Sequence, residues 1–322
     1  MRKNISRRSF IELSLALLGG LTMRYTQADS MMPKTLNNVD VIGNFHYIYG
    51  NPTYRNEFLN FLTNVFNIYP EDRLHSLIKA TTQGFGNDRD IYQQLQNSMA
   101  DIKPLLADLT YALPALAKQK KVMAAQTAEL LPKRRFEGYL EIGSEGRYLD
   151  SLEEVLDIEG QSFFISERQP TYSVTDIIDR GQIFKPGSWF SLNDYQPSIP
   201  RIISPGSLDL VTVYIGFHHC PPELREEFIG SIRDAMKPKG SLILRDHDAH
   251  NKKMWHIVAL AHDVFNMGTL ETWAYNDQER RHFYSLTQLD SMMKQFGFKP
   301  DGNRLLQNGD PTLNALMRYT LA

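Results

Sequence analysis

The stretch from Leu208 to Asp246 limits the fold more than any other part of the chain. Leu208-Asp209-Leu210-Val211-Thr212-Val213-Tyr214-Ile215-Gly216-Phe217 is a continuous apolar and β-branched run, fit for a strand buried on both faces. His218-His219-Cys220-Pro221-Pro222 breaks it. Glu223 to Met236 then shows helical spacing, with Leu224, Phe228, Ile229, Ile232 and Met236 on one side. Lys237-Pro238-Lys239-Gly240 ends that helix, and Ser241-Leu242-Ile243-Leu244-Arg245-Asp246 reads as the next strand. Strands joined through one helix run parallel, and a parallel pair needs cover on both faces. An α/β fold is therefore expected.

A second unit of the same kind precedes it. In Gly138-Tyr139-Leu140-Glu141-Ile142-Gly143-Ser144-Glu145-Gly146-Arg147-Tyr148, Tyr139, Leu140 and Ile142 suit a short buried strand. Gly143 and Gly146 make a tight turn, and Arg147 to Leu156 has helical spacing through Tyr148, Leu149, Leu152, Val155 and Leu156. Such a turn lets a ligand approach the backbone and the N–H groups at the helix start. The dinucleotide fingerprint wants Gly-x-Gly-x-x-Gly, and Glu141 stands where its first Gly belongs. A carboxylate there repels a pyrophosphate but can help to hold a cationic ligand. A nicotinamide-dependent oxidoreductase is thus the weaker enzyme reading.

The alternation continues. Ser162-Phe163-Phe164-Ile165-Ser166-Glu167 reads as a strand ending in an acid, 24 residues after Gly143. An acid so placed can accept hydrogen bonds from both hydroxyls of a ribose. Val174 to Ile178 reads as a helix ended by Gly181, and Ser188 to Asp194 as a third strand with a polar tip. Met254 to Phe265 and Leu286 to Phe296 read as helices, and Ala315 to Leu321 as a final strand.

These motifs resemble the class I methyltransferases that use S-adenosylmethionine (SAM), of the small-molecule, type-11-like kind. There an acidic residue and two glycines follow the first strand. A later strand ends in a His-His pair and a Pro, a helix follows, and Lys-Pro-Gly-Gly leads into the next strand. Lys239 replaces one of those glycines here. The resemblance covers roughly residues 133 to 322. It implies a Rossmann-like, seven-stranded, mostly parallel sheet with helices on both faces and one antiparallel strand near an edge. It also implies a SAM site at the strand tips, built from Glu141, Gly143, Ser144, Gly146, Glu167, Asn193, Asp194 and Ile215. Glu141 would lie near the methionine amino group and Glu167 on the ribose. Asn193 or Asp194 would recognise the adenine amino group, although Asp194 suits a turn cap equally well. His218 and His219 are the candidate bases for an acceptor that must lose a proton, and packing is their ordinary alternative.

Arg245-Asp246-His247-Asp248-Ala249-His250 offers metal-ligand types next to His218 and His219. Acids at a strand end before a helix are also common caps, and no metal is expected. Cys220 is the chain's one cysteine and is read as structural.

Ahead of the α/β part lies a helical region, residues 52–131. It is read from Phe58, Leu59, Leu62, Val65 and Phe66, then Leu74, Leu77 and Ile78, then Tyr92, Leu95 and Met99, then an Ala- and Leu-rich run interrupted by Pro114. In the resembling family such a region serves as a lid or a homodimer contact. Residues 29–51 read as a linker able to dock through Phe45, Tyr47 and Tyr49. Residues 1–28 combine a cationic start, a short apolar run and Thr26-Gln27-Ala28, the layout of a secretory signal. Ser6-Arg7-Arg8-Ser9-Phe10-Ile11 resembles the twin-arginine export signal, with Glu12 where that pattern often has Lys. Export to the periplasm by the twin-arginine machinery is expected, with a cytoplasmic enzyme as the alternative. The net charge of −2 gives no sign of a nucleic-acid partner, and the resemblance implies a small-molecule acceptor. An exported enzyme would lack fresh SAM, which keeps a third reading open: an inactive binding protein that retained the fold.

Overall fold

The computed structural model describes residues 43–66, 69–102, 113–196, 199–269 and 271–322. The signal at 1–28 and most of the expected linker lie outside the described residues.

Seven strands form one sheet in the order β3-β2-β1-β4-β5-β7-β6. They are β1 (Arg135–Ile142), β2 (Asp157–Ser166), β3 (Ser188–Ser191), β4 (Leu208–Val213), β5 (Met236–His247), β6 (Phe298–Leu306) and β7 (Asn314–Leu321). β1 through β5 pair in parallel, and β7 runs antiparallel between β5 and β6. The sheet is the expected Rossmann-like one. β6 had no strong signal in the sequence, because Pro300-Asp301-Gly302-Asn303 splits its apolar pattern and its pairing shifts register there.

The period of two along each strand divides the core. Leu140, Ile142, Val211, Val213, Leu242 and Leu244 point to one face, where they meet Phe228, Ile229, Ile232, Leu286, Leu289 and Met293. Those six lie on the helices Arg225–Ala235 and Leu286–Gln295. Tyr139, Leu210, Ile243 and Leu316 point to the other face, against Met123 and Ala124 of Leu113–Leu130 and Leu149 and Leu152 of Leu149–Glu153. Pro114 is the second described residue of the first of these two helices. The second is shorter than its spacing suggests: Val155 is exposed, and β2 begins at Asp157.

A third core joins the two halves of the chain. Helices Asn44–Tyr49, Pro52–Phe61, Glu71–Gly84 and Asp88–Ile102 bury Phe45, Phe58, Leu74, Ile78, Tyr92 and Leu95 around Lys252–Gly268. That late helix gives them Ile257, Leu260, Ala261, Val264, Phe265 and Met267. Residues 44–49 form a helix that buries Phe45 and Tyr49 and leaves Tyr47 only part-buried.

Candidate functional site

The residues proposed from the sequence gather at the carboxyl ends of β1, β2, β3 and β4, where open α/β sheets bind ligands. They fall into three groups.

The first is the turn after β1. Gly143 has φ +90°, and a Cβ there would collide with the Ile215 carbonyl oxygen, so the chain leaves β1 this way only with glycine. Gly146 has φ +79°, and a Cβ would press into Pro186 and Phe164. Glu141 lies beneath this turn, fully buried. It accepts from the Tyr139 hydroxyl at 3.0 Å, the Arg147 N–H at 2.8 Å, the Tyr148 N–H at 3.3 Å, and the Ser144 hydroxyl. The resemblance set this carboxylate near a ligand's amino group; the four donors seen here are the protein's own. Side chains 139 and 141 share the strand face toward Leu113–Leu130, so the carboxylate turns under the loop and ties it down. Ser144 is engaged in the same way, and Ile215 is buried with its carbonyl against Gly143.

The second group joins the tips of β2 and β3. Glu167, half-buried, accepts from the Asp194 backbone N–H, and its Oε1 is buried with no hydrogen-bond partner. Burial, then the facing Asp194, pushes its carboxyl up to about 7. Asn193, Asp194 and Tyr195 have φ of +48°, +54° and +63°, a left-handed run of non-glycine residues. Strain of this kind persists only where surroundings fix it. Here the Tyr195 hydroxyl donates to the Gly216 carbonyl at 2.5 Å, and its ring packs on Phe228. Both Asn193 and Asp194 are exposed; Asn193 donates to Gln196 at 2.9 Å, whereas Asp194 is the one that contacts Glu167.

The third group lies beyond β4 and β5. His218 and His219 occupy a short turn, Phe217–His219, and both are buried. His218 Nδ1 is 3.0 Å from Asp246 Oδ1, and His219 Nδ1 is 2.6 Å from the Arg280 carbonyl. Two further imidazoles close around them: His247 from β5 and His262 from Lys252–Gly268, with ring centroids 5.5 and 5.0 Å from that of His218. Burial lowers His219 and His247 to about 4, with His218 adding to the effect in each, and lowers His262 well below the ordinary value. Burial acts to raise Asp246, but His218 and His247 outweigh it and hold the carboxyl below its usual range. Phe283 caps the cluster with centroids 5.6 and 5.1 Å from His218 and His262.

A charged network supports this wall. Arg281 donates to Asp263 and to Glu279 at 2.7 Å, and to Asn276 at 2.7 Å. Asn44 of the first helix donates to Asp263 at 2.8 Å. Sequence reading missed His262, Asp263, Glu279 and Arg281. The one signal was His262-Asp263 itself, two adjacent polar residues in the otherwise apolar stretch Ile257 to Phe265. Asp248, by contrast, accepts from the Leu286 N–H at 3.0 Å and caps the helix Leu286–Gln295, the ordinary role weighed for it. Cys220 is buried, and burial pushes its thiol up to about 12, far from a nucleophile.

No curated protein is significantly similar to the chain in sequence. Similar solved structures include the mitomycin 7-O-methyltransferase MmcR, with 12% identity, 85% of this chain and 73% of that one covered, and a TM-score of 0.45. Another is a Burkholderia thailandensis 1,6-didemethyltoxoflavin-N1-methyltransferase, with 12% identity, coverages of 65% and 79%, and a TM-score of 0.40. A third is the trans-methyltransferase CalH, with 16% identity, coverages of 84% and 71%, and a TM-score of 0.43. The family model described as methyltransferase domain matches residues 116–301, more than half of the chain, and the chain belongs to that family.

Proposed function

We propose that the chain transfers a methyl group from SAM to a small-molecule acceptor. The observation that carries this reading is Glu167: a carboxylate at the tip of β2 with a buried, unpartnered Oε1. A buried acceptor without a donor is costly, and a ribose hydroxyl supplies one. Asp194, next to it, would take the adenine amino group. Gly143 and Gly146 would let the methionine portion pass close to the backbone. Glu141 acts through the turn it holds and not by touching the amino group.

SAM supplies the methyl group and the leaving group, so the protein supplies alignment and exclusion of water. His218 and His219 form the wall of the acceptor end. His218, oriented by Asp246, is the better placed of the two to meet an acceptor proton.

Calorimetric titration of the full chain with SAM and with its demethylated product tests this. One site per chain is expected, weakened at least tenfold by Glu167→Ala. Ligand at about 100-fold above Kd should add roughly 2.7 kcal/mol of stability. NADH is expected to give no signal; a saturable NADH site would favour the oxidoreductase. A binding protein that kept the fold is the second reading. It is favoured by one observation: the amides of Gly143, Arg147 and Tyr148 already donate within the protein. Folded chain that takes up neither SAM nor its product would make that second reading the leading one.

Export through the N-terminal signal remains part of the proposal. Fractionation of cells making the full chain should find it in the periplasm, and Arg7→Lys with Arg8→Lys should retain it in the cytoplasm.

A further inference from the structure

His218, His219 and His262 each present a ring nitrogen within 4.8 Å of those of the other two, and all three residues are buried. They come from separate parts of the fold: the turn after β4 supplies two and Lys252–Gly268 the third. The surroundings order the rings in one sense. His218 Nδ1 faces the Asp246 carboxylate at 3.0 Å. His219 Nδ1 faces the Arg280 carbonyl at 2.6 Å. His262 Nδ1 faces Glu279 Oε2 at 3.7 Å. An acceptor at Nδ1 places the proton there and leaves the lone pair on Nε2. The Nε2 atoms of His218 and His262 are buried with no hydrogen-bond partner. Carboxylate and carbonyl acceptors behind the rings are the arrangement that orients histidines toward a metal.

We propose that His218, His219 and His262 bind one divalent transition-metal ion through imidazole nitrogen. Glu279 Oε1, 3.9 Å from His219 Nε2, is a carboxylate oxygen on the Nε2 side that could take a fourth position. Three imidazoles suit zinc, cobalt or nickel, while magnesium and calcium want oxygen. A tetrahedral ion with bonds near 2.05 Å spaces its ligand atoms roughly 3.4 Å apart, so donors now within 4.8 Å of one another must draw in by up to about 1.4 Å. The sequence did not lead to this site, because it set His218 and His219 against Asp246 and Asp248 and not against His262. With the ion in place His218 is a ligand and not a base, and a positive charge stands at the acceptor end. The site does not depend on SAM: its ligands are distinct from Glu167 and the turn after β1.

Full-length protein stripped by chelation and titrated with Co²⁺ alone is the test. The expected result is one Co²⁺ per chain, with the visible bands of a four-coordinate nitrogen-ligated ion, displaced by Zn²⁺ and untouched by Mg²⁺. His262→Gln should remove the bands, and Asp246→Asn should weaken binding about 10- to 100-fold by freeing the His218 ring. His256→Gln, on the same helix outside the cluster, should leave binding unchanged. If His262→Gln fails to fold, a Zn²⁺-dependent rise in the Tm of the wild-type chain, needing about 10- to 100-fold more Zn²⁺ in Asp246→Asn, carries the same information. Wild-type protein that takes up no stoichiometric Co²⁺, or that binds it equally with His218→Gln and His262→Gln, would overturn the proposal.

Discussion

Glu141 and Glu167 are both acids at strand tips, yet their surroundings give them opposite work. Glu141 receives four donors and is fully buried, so it stabilises the turn after β1. Glu141→Ala should cost about 3 kcal/mol or more, since several buried donors lose their acceptor at about 1–3 kcal/mol each. Urea denaturation checks this, and a variant of wild-type stability would remove the structural role. Glu167 has a carboxyl raised to about 7, so the folded state binds its proton more tightly than the unfolded chain does. Its contribution to stability is full below the unfolded value of about 4.5 and is lost as pH rises through about 7. Ribose hydroxyls need the ionised acceptor, so SAM affinity should improve up to about pH 7 and level off above. Glu167→Gln should flatten both profiles, making the chain more stable at pH 8 and a poorer binder. Parallel Tm and Kd series over pH 5 to 9 would show it, and an affinity profile unchanged in the variant would sink the assignment.

The first helix shows how one acid can dock an element. Asp88 accepts from the Asn44 N–H at 2.5 Å and the Phe45 N–H at 3.3 Å, capping Asn44–Tyr49 from a different helix. Gly43 leaves room for it, since a Cβ there would collide with the Asp88 carboxylate. Both Asp88→Ala and Gly43→Ala should therefore loosen this helix at a cost of about 1–2 kcal/mol, read as faster amide exchange at Phe45 and Ile48. Protection equal to the wild type would rule out the cap. That contact was not legible in the sequence, because it joins residues far apart. The parallel strands were legible. Leu208 to Val213 and Ser241 to Asp246 are buried on both faces, and burial on both faces writes itself as continuous apolar composition. Strand tips were legible too, because Gly143 and Glu167 sit at fixed distances from a turn. The histidine wall was not. His262 lies on a helix whose apolar residues announce only a core, and the partner that gives it meaning arrives by tertiary packing.

At the scale of the molecule, Lys252–Gly268 belongs to the sheet domain by position and to the N-terminal helices by packing. Its Ile257, Leu260, Val264, Phe265 and Met267 are buried against them. Each such side chain contributes about 1.5–3 kcal/mol, so exposing them together removes an amount comparable to the roughly 5–15 kcal/mol of a whole domain. A chain starting at residue 113 should consequently be insoluble or lack near-UV circular dichroism, and a soluble, cooperatively unfolding fragment would refute this. The same packing sets a clock during synthesis. At about 5–20 residues per second, the ribosome reaches Gly268 roughly 10–30 s after completing Asp88–Ile102. Until then the early helices have no floor to pack on, so they stay open to chaperones and proteases, and the molecule closes from its late helix outward.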